Sequence, residues 1–171
     1  GLGLIRTEAD IQPDDWFLTC HFVDDLTMPG TLMYECCLHT LRFYLLRLGW
    51  VGERGAVHYE PVPGVAGVLR CRGPVTPRTR KVEYQVEIKE LGYRPEPYAI
   101  ADALMDADGK RIVHIKDMAL QIVGLTHEGV ESLWRLCAGR GDESARIAAT
   151  RRGADEPARL AATRRGALAD A

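Results

Sequence analysis

His21 and Glu35 stand fourteen positions apart in the stretch CHFVDDLTMPGTLMYECCLHTLRFYLLRLGW, residues 20–50, with a Pro29–Gly30 pair between them. An imidazole titrates near neutral pH and is the usual side chain for taking or giving a proton there. A carboxylate within an apolar run must be partnered, exposed at a cleft or partly protonated, because burying it alone is expensive. Glu35 therefore has two readings: a satisfied Glu–Arg pair where two protomers meet, or a catalytic acid. Cys20, directly before His21, reads either as a nucleophile or as a small buried packing residue, and the packing role is preferred.

These groups need a helix to position them. Pro29 suits a first turn, where its missing N–H has no partner to lose, and Gly49 suits the stop, so the sequence predicts a helix over residues 31–48. Its positions are apolar almost all the way round, which predicts burial in the middle of a domain. The polar exceptions, Thr31, Glu35, His39 and Arg42, follow at spacings of four, four and three and share one face.

The other elements are expected to be strands. Residues 4–12 alternate, with Ile5, Thr7, Ala9 and Ile11 on one face, and read as a half-buried strand. Residues 16–23 are expected to be short and extended or irregular, delivering His21 to the helix start. Residues 51–64, rich in Gly and Pro, read as a loop carrying one short strand. Residues 65–72 and 81–90 read as strands, the second alternating Val82, Tyr84, Val86 and Ile88 against charged partners. Residues 98–106 and 111–124 flank Ala107-Asp108-Gly109-Lys110, a hairpin signal, and Ala99, Ala101 and Ala103 would let the helix approach closely. Residues 126–136 read as a closing helix capped by Thr126, with Leu133 and Trp134 packing inward. One long helix with an antiparallel sheet of four or more strands is an α+β layout in which the sheet curls round the helix.

Composition bounds the rest. The chain has 171 residues, 46% apolar and 27% charged, with a formal net charge of −2. That is one soluble domain with no basic patch for nucleic acid, no run long enough to span a bilayer and no secretory leader. Five cysteines, two of them adjacent, match neither a disulfide framework nor a paired zinc motif, so a reduced, cytoplasmic protein is expected. Beyond Ala138 the chain turns to Ala, Arg, Gly and Asp, and ARIAATRRGA recurs as ARLAATRRGA. Residues 138–171 are expected to be a disordered or weakly helical tail. The start at Gly1 rather than Met suggests a processed chain, an excised domain or a fragment of something longer.

Across residues 4–125, and most closely in DDWFLTCHFVDDLTMPG, the sequence resembles the hot-dog-fold β-hydroxyacyl-acyl-carrier-protein dehydratases. In that family a Trp-Phe, Cys-His-Phe and Met-Pro-Gly series leads into the central helix, with a carboxylate fourteen residues after the His. The Trp-Phe and Cys-His-Phe wording resembles the β-hydroxydecanoyl branch, while Glu35 resembles the general branch. The mixture is similar to dehydratase domains of polyunsaturated fatty acid synthases and iterative polyketide synthases. The chain departs from the family in Asp24-Asp25-Leu26-Thr27 before Met-Pro-Gly and in His39 where Gln is usual. It also opens without the first helix and strand of the family. His39 either assists Glu35 or replaces the hydrogen bonds of that Gln.

The resemblance implies a hot-dog fold, a long central helix wrapped by a curved antiparallel sheet. It also implies dehydration of 3-hydroxyacyl thioesters, with His21 as base, the Gly30 N–H facing the thioester oxygen and Glu35 as the acid or the holder of the departing water. Phe22, Met28, Pro29 and His39 would line the substrate site. No cofactor or metal is implied, because the substrate arrives on the phosphopantetheine arm of an acyl carrier protein. The His and the acid of one site would come from two hot-dog units, in a homodimer or a pairing with a second hot-dog domain. Arg78 and Arg80 are candidates for gripping the carrier phosphate or are plain loop arginines. Surface or packing roles are expected for His58, His114 and His127. A non-catalytic hot-dog unit serving dimerisation or tunnel formation is the alternative, and a thioesterase a third reading.

Overall fold

The structure is a computed structural model that describes residues 2–22, 24–51, 57–132 and 134–135. The chain divides into two units, Gly1–Val130 and Glu131–Ala171. In the first, β1 (Leu4–Asp10), α1 (Trp16–Thr19) and α2 (Gly30–Arg47) precede β2 (His58–Glu60), β3 (Val68–Cys71), β4 (Lys81–Gly92), β5 (Tyr98–Ala107) and β6 (Lys110–Val123). The strands form one antiparallel sheet in the order β1-β4-β5-β6-β2, with β3 also paired to β6.

Alternation in the sequence makes one face of this sheet apolar. Val82, Tyr84, Val86 and Ile88 of β4 are buried, while Glu83 and Glu87 between them, and Lys89 after them, face solvent. On β5 the inward row is Ala99, Ala101, Ala103 and Met105, all fully buried. Three methyl-sized side chains in a row let α2 lie close, and it seats Met33, Cys37, Leu41 and Leu45 against the sheet. Truncating fully buried Leu41 to Ala should cost roughly 2–5 kcal/mol. Thr40, which the sequence pattern did not single out, is also buried. Its hydroxyl donates to the Cys36 carbonyl at 3.0 Å and lies 2.9 Å from the Thr7 hydroxyl, joining α2 to β1.

The ends of α2 have local causes. Pro29 is the N-cap. Gly49 takes φ +80°, and the N–H groups of Gly49 and Trp50 return to the carbonyls of Leu46 and Leu45 at 3.0 Å each. This pair of bonds closes the helix with a left-handed glycine, and Trp50 behind it is buried. The β5–β6 turn bears out the Asp-Gly signal: Asp108 and Gly109 adopt φ +47° and +78°, the geometry that matches strand twist. The Asp108 carboxylate also accepts the N–H groups of Arg80 at 3.1 Å and Lys81 at 3.0 Å, tying the turn to the start of β4.

Several expectations change. Residues 16–19 are a helical turn rather than an extended segment, because fully buried Leu18 anchors them and the Leu18 N–H returns to Asp15. Cys20 is exposed rather than packed, since it caps α1 on the solvent side. The helix α2 is not buried all round: Phe43 is 58% exposed and Leu46 44%, because the sheet covers one flank. The strand read over residues 65–72 begins at Val68. Asp117, at φ +54°, makes a bulge in β6 that ends the β3 ladder at Val68–Lys116, and β2 resumes pairing beyond it. The Asp117 N–H donates to Asp102 at 3.0 Å, and Lys89 bridges both carboxylates.

Thr126 caps residues 127–130 by accepting the Gly129 N–H at 3.1 Å. In the second unit residues 131, 132, 134 and 135 are helical, and Arg135 pairs with Glu131 at 2.9 Å. Trp134 is 42% exposed rather than packed inward. Leu133 and the expected tail at 138–171 lie outside the described residues.

Candidate active site

α1 delivers His21. The chain leaves its C-cap at Cys20, and the His21 ring follows, half-buried and stacked at 4.0 Å on exposed Phe22. Two bonds clasp the loop that returns to α2: the Thr27 N–H donates to the His21 carbonyl at 3.1 Å, and His21 Nδ1 lies 3.1 Å from the Thr27 carbonyl. The Met28 N–H then donates to the carbonyl of fully buried Val75 at 3.0 Å, pinning the loop to the core. Within it Asp24 and Leu26 take φ +77° and +38°, which is uncommon for side chains of their kind and needs such a clasp.

The Thr27 bond has a chemical consequence. A carbonyl oxygen accepts and never donates, so the neutral imidazole must carry its hydrogen on Nδ1. Nε2 is then the basic nitrogen, and no described residue hydrogen-bonds to it.

Gly30 opens α2. The Pro29 carbonyl receives the N–H groups of Leu32 and Met33 at 3.0 Å each, while the Gly30 N–H has no partner among the described residues. No acidic side chain sits in the first turn. A Cβ built on Gly30, in the first turn at the positive end of α2, would meet nothing within 4 Å. Pro29 is half-buried, whereas Met28 points into the core and is 5% exposed.

Glu35 lies just over one turn further along and is 42% exposed. Its Oε1 receives Nη1 of Arg42 at 2.7 Å and stands 3.4 Å from Nε2 of His39. Thr31, Glu35, His39 and Arg42 thus form the polar face that the spacing predicts. No hydrogen bond or ion pair among the described residues joins His21 to Glu35. Behind the face, burial raises the Cys36 and Tyr84 groups, which contact each other, and pushes the Cys37 thiol up to about 12. Burial also raises Tyr34, with the neighbouring Glu35 charge adding to it.

The remaining candidates stand apart. His58 lies on β2 and contacts Glu60 at 2.8 Å, His114 is half-buried on β6, and His127 meets Tyr93 edge to face at 4.6 Å. Arg78 and Arg80 are exposed. Clefts of about 520 and 430 Å³ lie on the sheet face turned away from α2, around Gln85 and Arg70 respectively. Neither is lined by His21, Gly30 or Glu35. Among the described residues no three His, Cys, Asp or Glu side chains converge to hold a metal ion, and no helix is long and apolar enough to cross a membrane. The backbone carbonyl of Thr27 is the functional group that the sequence could not announce, since every residue carries one.

Residues 1–116 match the model of the FabA-like domain. The chain is 40% identical over 111 residues to a subunit of the polyunsaturated fatty acid synthase of Thraustochytrium sp.; the match covers 63% of this chain and 7% of that protein. Among solved structures it is similar to the fluoroacetyl-CoA thioesterase FlK, with a TM-score of 0.55 at 8% identity over 78% of this chain and 93% of that one. A hot-dog-like protein from Thermanaerovibrio acidaminovorans gives 0.50 at 11% identity, over 78% and 89%. At such identities the likeness concerns architecture alone, and the architecture is the hot-dog fold.

Proposed function

Because the chain belongs to the FabA-like domain family, we propose that it removes water from 3-hydroxyacyl thioesters carried on an acyl carrier protein, giving trans-2-enoyl thioesters in fatty acid or polyketide synthesis. The observation that carries this reading is the His21–Thr27 bond, which leaves Nε2 as a base. Nε2 takes the C2 proton of the substrate. The electron pair moves into the C2–C3 bond, and the C3–O bond breaks. Glu35 gives its proton to the departing hydroxyl, so that water leaves, and the proton held by His21 returns to Glu35 through solvent. The Gly30 N–H, at the positive end of α2, faces the charge that grows on the thioester oxygen. Such a base contributes roughly 10²–10⁴-fold and one such donor roughly 10²–10³-fold.

As the family resemblance implies, the working unit is two hot-dog units, each supplying one group to a shared centre. The open flank of α2, with Phe43 and Leu46 beside the polar face, supports that pairing. The curated relative is part of a fatty acid synthase, and the chain spans 7% of its length, so the carrier protein and neighbouring domains belong to this proposal. The alternative is a non-catalytic hot-dog unit, in which the Glu35–Arg42 pair serves structure alone.

Mass-spectrometric turnover of a 3-hydroxyacyl pantetheine thioester by the wild type, His21→Ala and Glu35→Gln tests the proposal. Loss of about 18 mass units, one water, in the wild type and its disappearance in both variants is expected from the proton roles above. A folded, dimeric wild type without turnover would instead favour the non-catalytic unit.

A further inference from the structure

Arg42 sits two turns beyond Glu35 on the polar face of α2 and folds back on it. Nη1 reaches Oε1 of Glu35 at 2.7 Å, and the guanidinium carbon lies 5.0 Å from the centroid of the Tyr59 ring on β2. Tyr59 is itself fixed by pairing with Ile122 of β6. The Arg42 side chain is 23% exposed, and its Nε–H is buried without an acceptor among the described residues. A buried donor left unmet lowers folding stability, so the placement of this guanidinium is a poor way of stabilising the fold. It is a good way of holding one carboxylate oxygen. His39 Nε2, at 3.4 Å, approaches that same oxygen, and Oε2 has no partner among the described residues.

We infer that Arg42 is a positioning residue for Glu35: held between the carboxylate and the Tyr59 ring, it occupies Oε1 and fixes Oε2 as the oxygen that meets the departing hydroxyl. The inference rests on the dehydratase reading and deepens it. The guanidinium plane matters as well as its charge, because stacking on Tyr59 sets the direction from which Nη1 reaches the carboxylate. Lysine at this position keeps the charge and loses the stacked fork.

The test uses the full chain with Arg42→Gln and Arg42→Lys, compared with the wild type on a 3-hydroxyacyl pantetheine thioester. Circular dichroism confirms folding in each. With Oε2 mispositioned, kcat falls at least about tenfold in Arg42→Gln while KM stays within about twofold, because the contact acts on the reacting group and not on substrate binding. Arg42→Lys recovers part of kcat. In parallel, ¹⁵N-resolved NMR of the Arg42 guanidinium in the wild type shows restricted rotation that is lost in Glu35→Gln. An active wild type whose kcat is unchanged in Arg42→Gln overturns this inference and leaves the dehydratase reading standing. A guanidinium spectrum indifferent to Glu35→Gln also overturns it. An inactive, folded wild type overturns both.

Discussion

Nδ1 of His21 and the carbonyl oxygen of Thr27 stand 3.1 Å apart, a contact that fixes the tautomer of the imidazole from the backbone of the same loop. Two-bond ¹⁵N–¹H NMR of the neutral ring should find the hydrogen on Nδ1 and a pyridine-type Nε2. An Nε2-protonated ring would remove the base from the proposed reaction. Replacing His21 by Gln removes the basic nitrogen while keeping polar bulk, and turnover should fall by about 10²-fold or more.

At Gly30 function and stability should separate. An added methyl meets nothing within 4 Å, and Ala is a better helix former than Gly. Gly30→Ala should therefore melt at or slightly above the wild type, within about 1 kcal/mol. Turnover should drop, because the methyl stands in the open space where a thioester oxygen would approach the helix end. A variant that keeps full activity would place the oxyanion elsewhere.

Cys37 makes the fold sensitive to alkali. Burial holds its thiol protonated up to about 12 against an ordinary value of 9.0. In the unfolded chain the thiol ionises near 9, so above that pH the unfolded state binds fewer protons than the native state and stability falls as pH rises. The contribution is fully present below pH 9 and is lost between about 9 and 12, at roughly 1.4 kcal/mol per unit for a fully ionising group. Tyr84, also raised by burial, adds loss in the same direction above 10.0. Urea melts at pH 8, 9.5 and 11 check the sign. Peptide mapping after iodoacetamide at pH 8 should find exposed Cys20 alkylated and Cys37 untouched.

The open flank of α2 yields a further expectation. Phe43→Glu combined with Leu46→Glu alters two exposed positions, so each chain should stay folded. If two units meet across this flank, sedimentation velocity should show the double variant as a monomer at concentrations where the wild type is paired. Turnover should be lost with pairing, and a paired double variant would move the contact away from α2.

Much of this was legible because local chemistry decides it. The Asp108–Gly109 turn, the Gly49 stop and the alternation in β4 each follow from a few neighbouring residues, and the structure has them where the sequence placed them. The polar face on α2 was equally legible, being a matter of helical spacing. Other features depend on distant partners. An apolar α2 reads as buried all round, yet only the flank toward the sheet is covered, because periodicity does not say how far a sheet extends. Residues 16–19 look extended until Leu18 is seen in the core. Thr40 is polar in sequence and buried in fact, since Thr7 lies beside its hydroxyl. The tautomer of His21 depends on a carbonyl that any residue at position 27 would supply.

The clasp of Asp108 on the N–H groups of Arg80 and Lys81 also bears on the order in which the molecule assembles. It closes a three-strand meander, β4 to β6, from chain segments 27 residues apart, whereas β1 must find β4 across the seventy residues of chain between them. Loop closure favours the shorter search, so the meander is expected to form first and β1 to dock late. Asp108→Ala should then slow refolding more than it speeds unfolding, and a disturbance of the Thr7–Thr40 contact should do the reverse. Equal effects on both limbs of the chevron for Asp108→Ala would refute that order. The strand beside the helix, β1, is thus the one that the nucleus can form without.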